Sequence, residues 1–198
     1  MPVGRLSCLT LILCAAGAAA RADVATMVPL CNGCHGPDGA SVIPGVPTIA
    51  GLSALVIENA LSDYRSGLRP CPAPGTPGAL GLNMCAPAGA IAEADLAGIA
   101  QHYSELPFRP KAQSGDEAII ARGRDIHERD CEICHTDAGA NAADDASILA
   151  GQDIAYLRLS LMEYAAGTRA QPRPMEAKMM ALSPDDIDAL AQFYATRP

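Results

Sequence analysis

Cys31-Asn32-Gly33-Cys34-His35 recurs as Cys131-Glu132-Ile133-Cys134-His135, 100 residues further along the chain. The offset persists away from the motif. Ala50-Gly51 pairs with Ala150-Gly151, and Leu61, Tyr64 and Gly67 pair with Leu161, Tyr164 and Gly167. Towards the end of each copy the offset becomes 91: Met84 pairs with Met175, Asp95-Leu96 with Asp186-Ile187, and Tyr103 with Tyr194. One offset held over so many positions marks a duplicated unit. The drop from 100 to 91 places nine extra residues in the first copy, within the Pro/Gly-rich stretch 68–83.

Each copy reads as helical. Ile119, Ile120 and Ile126 fall at helical spacing in Ala118–Asp130, which leads into the second motif; Val24–Leu30 is the shorter lead-in to the first. Ser53–Ser66 and Asp153–Ala166 are middle helices that begin on a capping residue. Glu93–Tyr103 and Pro184–Ala195 are the last helices. Ser183-Pro184-Asp185-Asp186 combines a cap, Pro at the first turn and acids at the positive end of the dipole. No stretch alternates like a strand, so the expected fold is all-α. The expected organisation is a first domain over 23–105, a linker over 106–114 with two prolines, and a second domain over 115–198.

Residues 1–22 read as an export signal. Arg5 is the basic start, Leu6–Ala20 the apolar stretch, and Ala20-Arg21-Ala22 the small-residue cleavage site, with cleavage after Ala22. The stretch is too short for a membrane span, and nothing else approaches spanning length. The expected location is the periplasm. Removing the signal takes Arg5, Arg21, Cys8 and Cys14 and no acid, so the charge falls from −8 to −10 and six of eight cysteines remain. So acidic a chain repels phosphate backbones, which argues against a nucleic-acid partner. Two Phe, five Tyr and no Trp make a poor supply of large rings for two small cores. Domains of this size need a staple.

The motifs supply one. Cys-x-x-Cys-His is the attachment signature of c-type haem: two thiols add to the porphyrin vinyl groups and the adjacent His is an axial ligand. Zinc or thiol-exchange readings of Cys-x-x-Cys do not account for a His trailing both copies. Cys31, Cys34 and His35, with Cys131, Cys134 and His135, are therefore expected to hold two covalently bound haem c groups. A thioether is the expected ligand on the opposite face, because it suits iron in electron carriers. Met84 and Met175 share a register and are the expected donors. Met162, Met179 and Met180 lack that register and are read as packing residues, and His102 and His127 as surface or supporting residues. Iron held by His and Met has no vacant position, which favours electron transfer over bond-making and makes the chain no catalyst by itself. An enzyme with one open haem is the rival reading. Cys71 and Cys85 bracket the insertion, and in an oxidising compartment they are expected to pair.

The chain resembles the tandem dihaem class I cytochromes c, of which cytochrome c4 is the best-known group. The resemblance is carried by Cys34-His35-Gly36-Pro37-Asp38-Gly39, Pro47-Thr48-Ile49-Ala50-Gly51 and Asp63-Tyr64-Arg65-Ser66-Gly67. The second copy resembles more narrowly the haem subunit of flavocytochrome c sulfide dehydrogenase, at Ile126–His135, Ile148–Gln152 and Arg173–Met179; Phe108–Ser114 resembles that subunit's interdomain linker. The resemblance implies two all-α cytochrome domains with neighbouring haems. It further implies docking on a flavoprotein subunit that oxidises sulfide, with electrons passing on to a soluble redox partner. A free-standing carrier to a terminal oxidase is the alternative.

Overall fold

The computed structural model describes residues 24–71 and 83–197. The predicted export signal and most of the inserted stretch lie outside the described residues. Within them the protein is helical and contains no β-strand.

The first copy comprises α1 (Val24–His35), α2 (Ala54–Ser66), α3 (Cys85–Ala90) and α4 (Leu96–Ser104). The second comprises α5 (Glu117–Asp130), α6 (Thr136–Gly139, a short kinked turn), α7 (Ile154–Ala165), α8 (Arg173–Met179) and α9 (Pro184–Ala195). Caps define the starts. Ser53 Oγ accepts from Val56 N–H at 3.3 Å, and Asp153 Oδ1 accepts from Ala155 and Tyr156 N–H. Ser183 and Asp186 form a reciprocal capping box.

Both copies are built alike. The first and last helices cross (α1 on α4, α5 on α9), and the middle helix packs on the last (α2 on α4, α7 on α9). The crossing is close because a side chain is missing. A Cβ on Gly123 of α5 would run into the Ala189 carbonyl of α9; in the first copy a Cβ on Gly98 of α4 would meet Val24 Cγ2 at 2.8 Å. Each copy has its own core. One is formed by Leu61, Leu96, Ile99 and Tyr103, and the other by Leu157, Leu190, Phe193 and Tyr194.

The 106–114 stretch carries no helix or strand and threads between the copies. It crosses the two matched glycine turns. Phe108 N lies 2.6 Å from where a Gly51 Cβ would stand, and Pro110 abuts the same position on Gly151. Both glycines have positive φ, of 74° and 69°, so the turn and the close approach each require glycine. Gly51 N–H donates to Tyr103 O and Gly151 N–H to Tyr194 O, both at 2.9 Å, which ties each turn to its last helix. The copies also touch directly. Asp153 accepts from Gly45 N–H at 2.7 Å and from Lys111 Nζ at 3.0 Å, and Ala170 N–H donates to Leu68 O at 2.9 Å.

Candidate functional site

The first motif is helical to its end, since α1 runs through Cys31 and Cys34 to His35. The second follows α5, which stops at Asp130, and Cys131–Cys134 form turns. None of the four motif cysteines is in a disulfide; Cys34 and Cys134 are exposed, Cys31 and Cys131 half-buried. Burial pushes the Cys31 and Cys131 thiols up, and the matched tyrosines Tyr103 and Tyr194 pull in the opposite direction by hydrogen bonding. Those tyrosines are anchored to the first helix of their copy. Tyr103 Oη donates to Asn32 Oδ1 at 2.9 Å, and Tyr194 Oη lies 2.9 Å from His127 Nδ1. His127 Nε2 pairs with the Glu132 carboxylate. His127 is thus fully buried and is no surface residue. Helical spacing explains why: it follows Ile126 and lies four residues after Gly123, on the face turned to α9. His102 is half-buried and meets Tyr103 edge-on.

The motif histidines have their Nδ1 edges turned inwards. Buried His35 donates from Nδ1 to the Pro47 carbonyl at 2.9 Å, which leaves Nε2 as the free donor atom. His135 Nδ1 is buried and faces the Ser147 carbonyl in the corresponding place, without the close bond that His35 makes. Burial lowers the proton affinity of both rings, and the two carbonyls raise it again in part. Neutral imidazole is the form that binds metals.

Met84 and Met175 pack against the first and second cores respectively. Met175 does not sit in the open loop its Pro/Gly surroundings predict. Met84 is the residue before α3, and Met175 lies inside α8, whose first turn accommodates Pro174. Met179 is core, as expected. Met162 and Met180 are exposed at 58% and 66% and do not pack the interior. Cys71 and Cys85 form a disulfide, with Cys85 opening α3 directly after Met84.

A further cluster escaped the motif reading. Arg69 and Arg169, again 100 apart, are both buried. The Arg69 guanidinium lies 4.5 Å from the Tyr64 ring centroid, and that of Arg169 lies 4.2 Å from the Tyr164 centroid. Arg69 Nη2 also donates to Tyr156 Oη across the copies, at 3.4 Å. Burial pushes the Tyr64 hydroxyl up to about 12 against the pull of Arg69. Burial acts likewise on Tyr156, but Arg69 and Arg169 outweigh it and bring that hydroxyl down to about 8. Arg69 Nε and Arg169 Nε are buried with no hydrogen-bond partner, and neither guanidinium is in an ion pair among the described residues. The half-buried Glu163 carboxylate lies in the field of both guanidiniums, and their unpartnered Nε atoms leave room for further anions. Porphyrin carboxylates would suit that room, and two Cys pairs outside any disulfide, each with a His of lowered proton affinity beside it, fit c-type haem.

No protein-family model matches the chain. Similar proteins do exist. The chain is 30% identical over 179 residues to a protein of Stutzerimonas stutzeri (strain A1501) named thiosulfate dehydrogenase electron acceptor, covering 83% of this chain and 77% of the relative. Relatives named cytochrome c4 also align along most of the chain. The chain belongs to the cytochrome c4-like dihaem cytochromes c. Its fold matches crystalline reduced cytochrome c4 from Pseudomonas stutzeri with a TM-score of 0.70 and 25% identity, over 89% of this chain and 99% of that one. It also matches thiosulfate dehydrogenase TsdBA from Marichromatium purpuratum with a TM-score of 0.70 and 28% identity; it covers 85% of itself and only 36% of that longer chain. This cytochrome c4-like protein accordingly carries two covalently bound haem c groups and acts as an electron carrier. Among the described residues no helix is long and apolar enough to cross a membrane.

Proposed function

We propose that this cytochrome is an exported, periplasmic carrier that accepts electrons from a dehydrogenase acting on a reduced inorganic sulfur compound. The similarity to a thiosulfate dehydrogenase electron acceptor, along most of both chains, carries the reading. The proposed units are 23–105 and 115–198, joined by 106–114. In the first, Cys31 and Cys34 would form the thioether bonds, and His35 and Met84 would supply the iron's side-chain ligands. In the second, Cys131, Cys134, His135 and Met175 take the same roles. When bound, the haems supply reversible one-electron chemistry. The chain's own groups prepare the sites for it. His35 is oriented by its donation to Pro47 O. Tyr103 and Tyr194 brace the motif cysteines against the last helices. Arg69 and Arg169, each with a buried unpartnered Nε, would offset the charge of the haem carboxylates.

Two donors fit within this class. The second copy's resemblance to a flavocytochrome subunit favours a flavoprotein that oxidises sulfide; the curated relative favours a thiosulfate dehydrogenase. The test is purification from the native source under mild conditions, followed by addition of sulfide or thiosulfate. Stoichiometric flavin with sulfide-dependent haem reduction supports the first. Thiosulfate-dependent reduction by a flavin-free fraction supports the second. A haem fraction that neither compound reduces, with or without other cell fractions, overturns both and leaves a carrier serving a terminal oxidase.

A further inference from the structure

We propose that Gln152, in the second copy, is a positioning residue for the axial histidine of the first. The inference rests on His35 being that ligand, and it goes further by naming what sets its donor strength. His35 Nδ1–H donates to Pro47 O at 2.9 Å. That carbonyl and the Thr48 N–H are the two ends of one peptide group. Thr48 N–H donates to Gln152 Oε1 at 2.9 Å, and Gln152 Nε2–H donates back to Thr48 O at 2.7 Å. The side-chain amide of one copy thereby clamps both backbone groups of Thr48 in the other. Thr48 is 1% exposed and Gln152 2%, so water does not compete. Ser41 N–H adds a bond to Thr48 Oγ1 at 3.3 Å and fixes the loop from its own side.

The chain of bonds runs from ring to amide: His35 Nδ1–H to Pro47 C=O, then Thr48 N–H to Gln152 Oε1. Hydrogen bonds in series polarise one another, most of all in a dry interior. An acceptor on the Thr48 N–H makes the Pro47 oxygen a better acceptor. That oxygen then draws harder on Nδ1–H and makes Nε2 more basic. A more basic ligand favours the oxidised, more positive iron, so Gln152 lowers the potential of the first haem.

The second copy lacks the device. At the offset of 100, Leu52 stands where Gln152 does and has no polar atom to offer. His135 Nδ1, on its side, faces the Ser147 carbonyl of its own copy, and Leu52 offers nothing to the peptide group beyond it. The influence therefore runs one way, from the second copy into the first, and makes two otherwise matched sites unequal.

The test uses the full holoprotein. Gln152→Leu places the first copy's residue in the second. Spectroelectrochemical titration, with each haem assigned by its paramagnetically shifted proton resonances, should show a rise in the first haem's potential and none in the second's. The His35 ring N–H resonance should move while that of His135 stays. Gln152→Glu, which keeps an acceptor towards Thr48 N–H, should not raise the potential. Equal shifts at both haems, or none, overturn the proposal. Should the Leu variant fail to accumulate, wild-type hydrogen exchange decides. The Thr48 amide and the His35 ring N–H should exchange more slowly than the Ile148 amide and the His135 ring N–H, and equal rates overturn the proposal. If His35 is not a ligand, its ring proton in the oxidised wild type lacks the paramagnetic shift, an outcome distinct from a ligated His35 that is indifferent to Gln152.

Discussion

At the scale of single residues, Asp153 joins three tasks in one carboxylate. It caps α7, pairs with Lys111 and accepts from Gly45 N–H of the other copy. Burial pushes its carboxyl up, but the Gly45 N–H, Lys111 and the Tyr156 N–H outweigh this and hold it below the usual carboxylate range. A folded pKa below the unfolded one contributes stability above the unfolded value of about 3.9, and that contribution is lost as pH falls through the folded value. Asp153→Asn should therefore cost about 2 kcal/mol at neutral pH, the scale of hydrogen bonds to a charged group. The gap to wild type should shrink as pH drops below about 4. Denaturant titrations of both proteins across the acid range measure it, and a gap that stays constant with pH contradicts the assignment. The same scale shows what the sequence hides. Arg69 and Arg169 obey the repeat offset and lie two residues past the matched glycines, so comparison of the copies could have found them. Gln152 could not be found that way, because its role exists in one copy only and Leu52 carries no trace of it. Tyr156 is hidden for the same reason, with Val56 as its counterpart.

At the scale of elements, the helices were legible because their ends are written chemically. Pro184–Ala195 begins on the capping box that Ser183-Pro184-Asp185-Asp186 implies. The Val24–Leu30 lead-in is only the start of its helix, since α1 continues through the cysteines to His35. The crossing of first and last helices was not legible, because it depends on the absence of atoms at Gly123. Gly123→Ala gains about 1 kcal/mol of helix propensity. It also drives a methyl into the Ala189 carbonyl, a backbone atom that cannot step aside. The net effect should be a loss of about 2 kcal/mol, typical of overpacking. Gly98→Ala meets only the tip of the Val24 side chain and should be close to neutral. Thermal unfolding of the two variants side by side checks the contrast. The Cys71–Cys85 link makes a separate prediction. It joins residues 14 apart and ends beside Met84. Replacing both cysteines with Ser should cost about 3 kcal/mol by loop entropy. It should also weaken the visible-spectrum signature of methionine ligation at the first haem and leave the second intact. Loss of stability with both signatures unchanged would separate the clamp from Met84.

At the scale of the whole molecule, the duplicated halves are not two beads on a thread. Lys111 and Gln113 lie in the connecting stretch, yet Lys111 bonds to both halves and Gln113 fastens the stretch to the second. Lys111 Nζ donates to Ile43 O at 3.1 Å and to Asp153; Gln113 Nε2 donates to Gln152 O at 2.7 Å and to Ala195 O at 3.2 Å. Lys111 N–H further donates to Gly151 O at 2.8 Å. In a flexible tether extra length is cheap, since each doubling costs only about 0.6 kcal/mol. Here two glycines inserted between Phe108 and Pro110 should cost far more, because the two residues could no longer rest on Gly51 and Gly151 together. X-ray scattering should record a larger radius of gyration, and limited proteolysis should cut at 106–114 where the wild type resists. An inserted chain as compact and resistant as the parent would reduce the stretch to a tether. The stretch works as a ruler laid between two identical notches. It should accept changes of residue more readily than changes in their number, and swapping halves between such proteins should succeed only when the spacing between the notches travels with them.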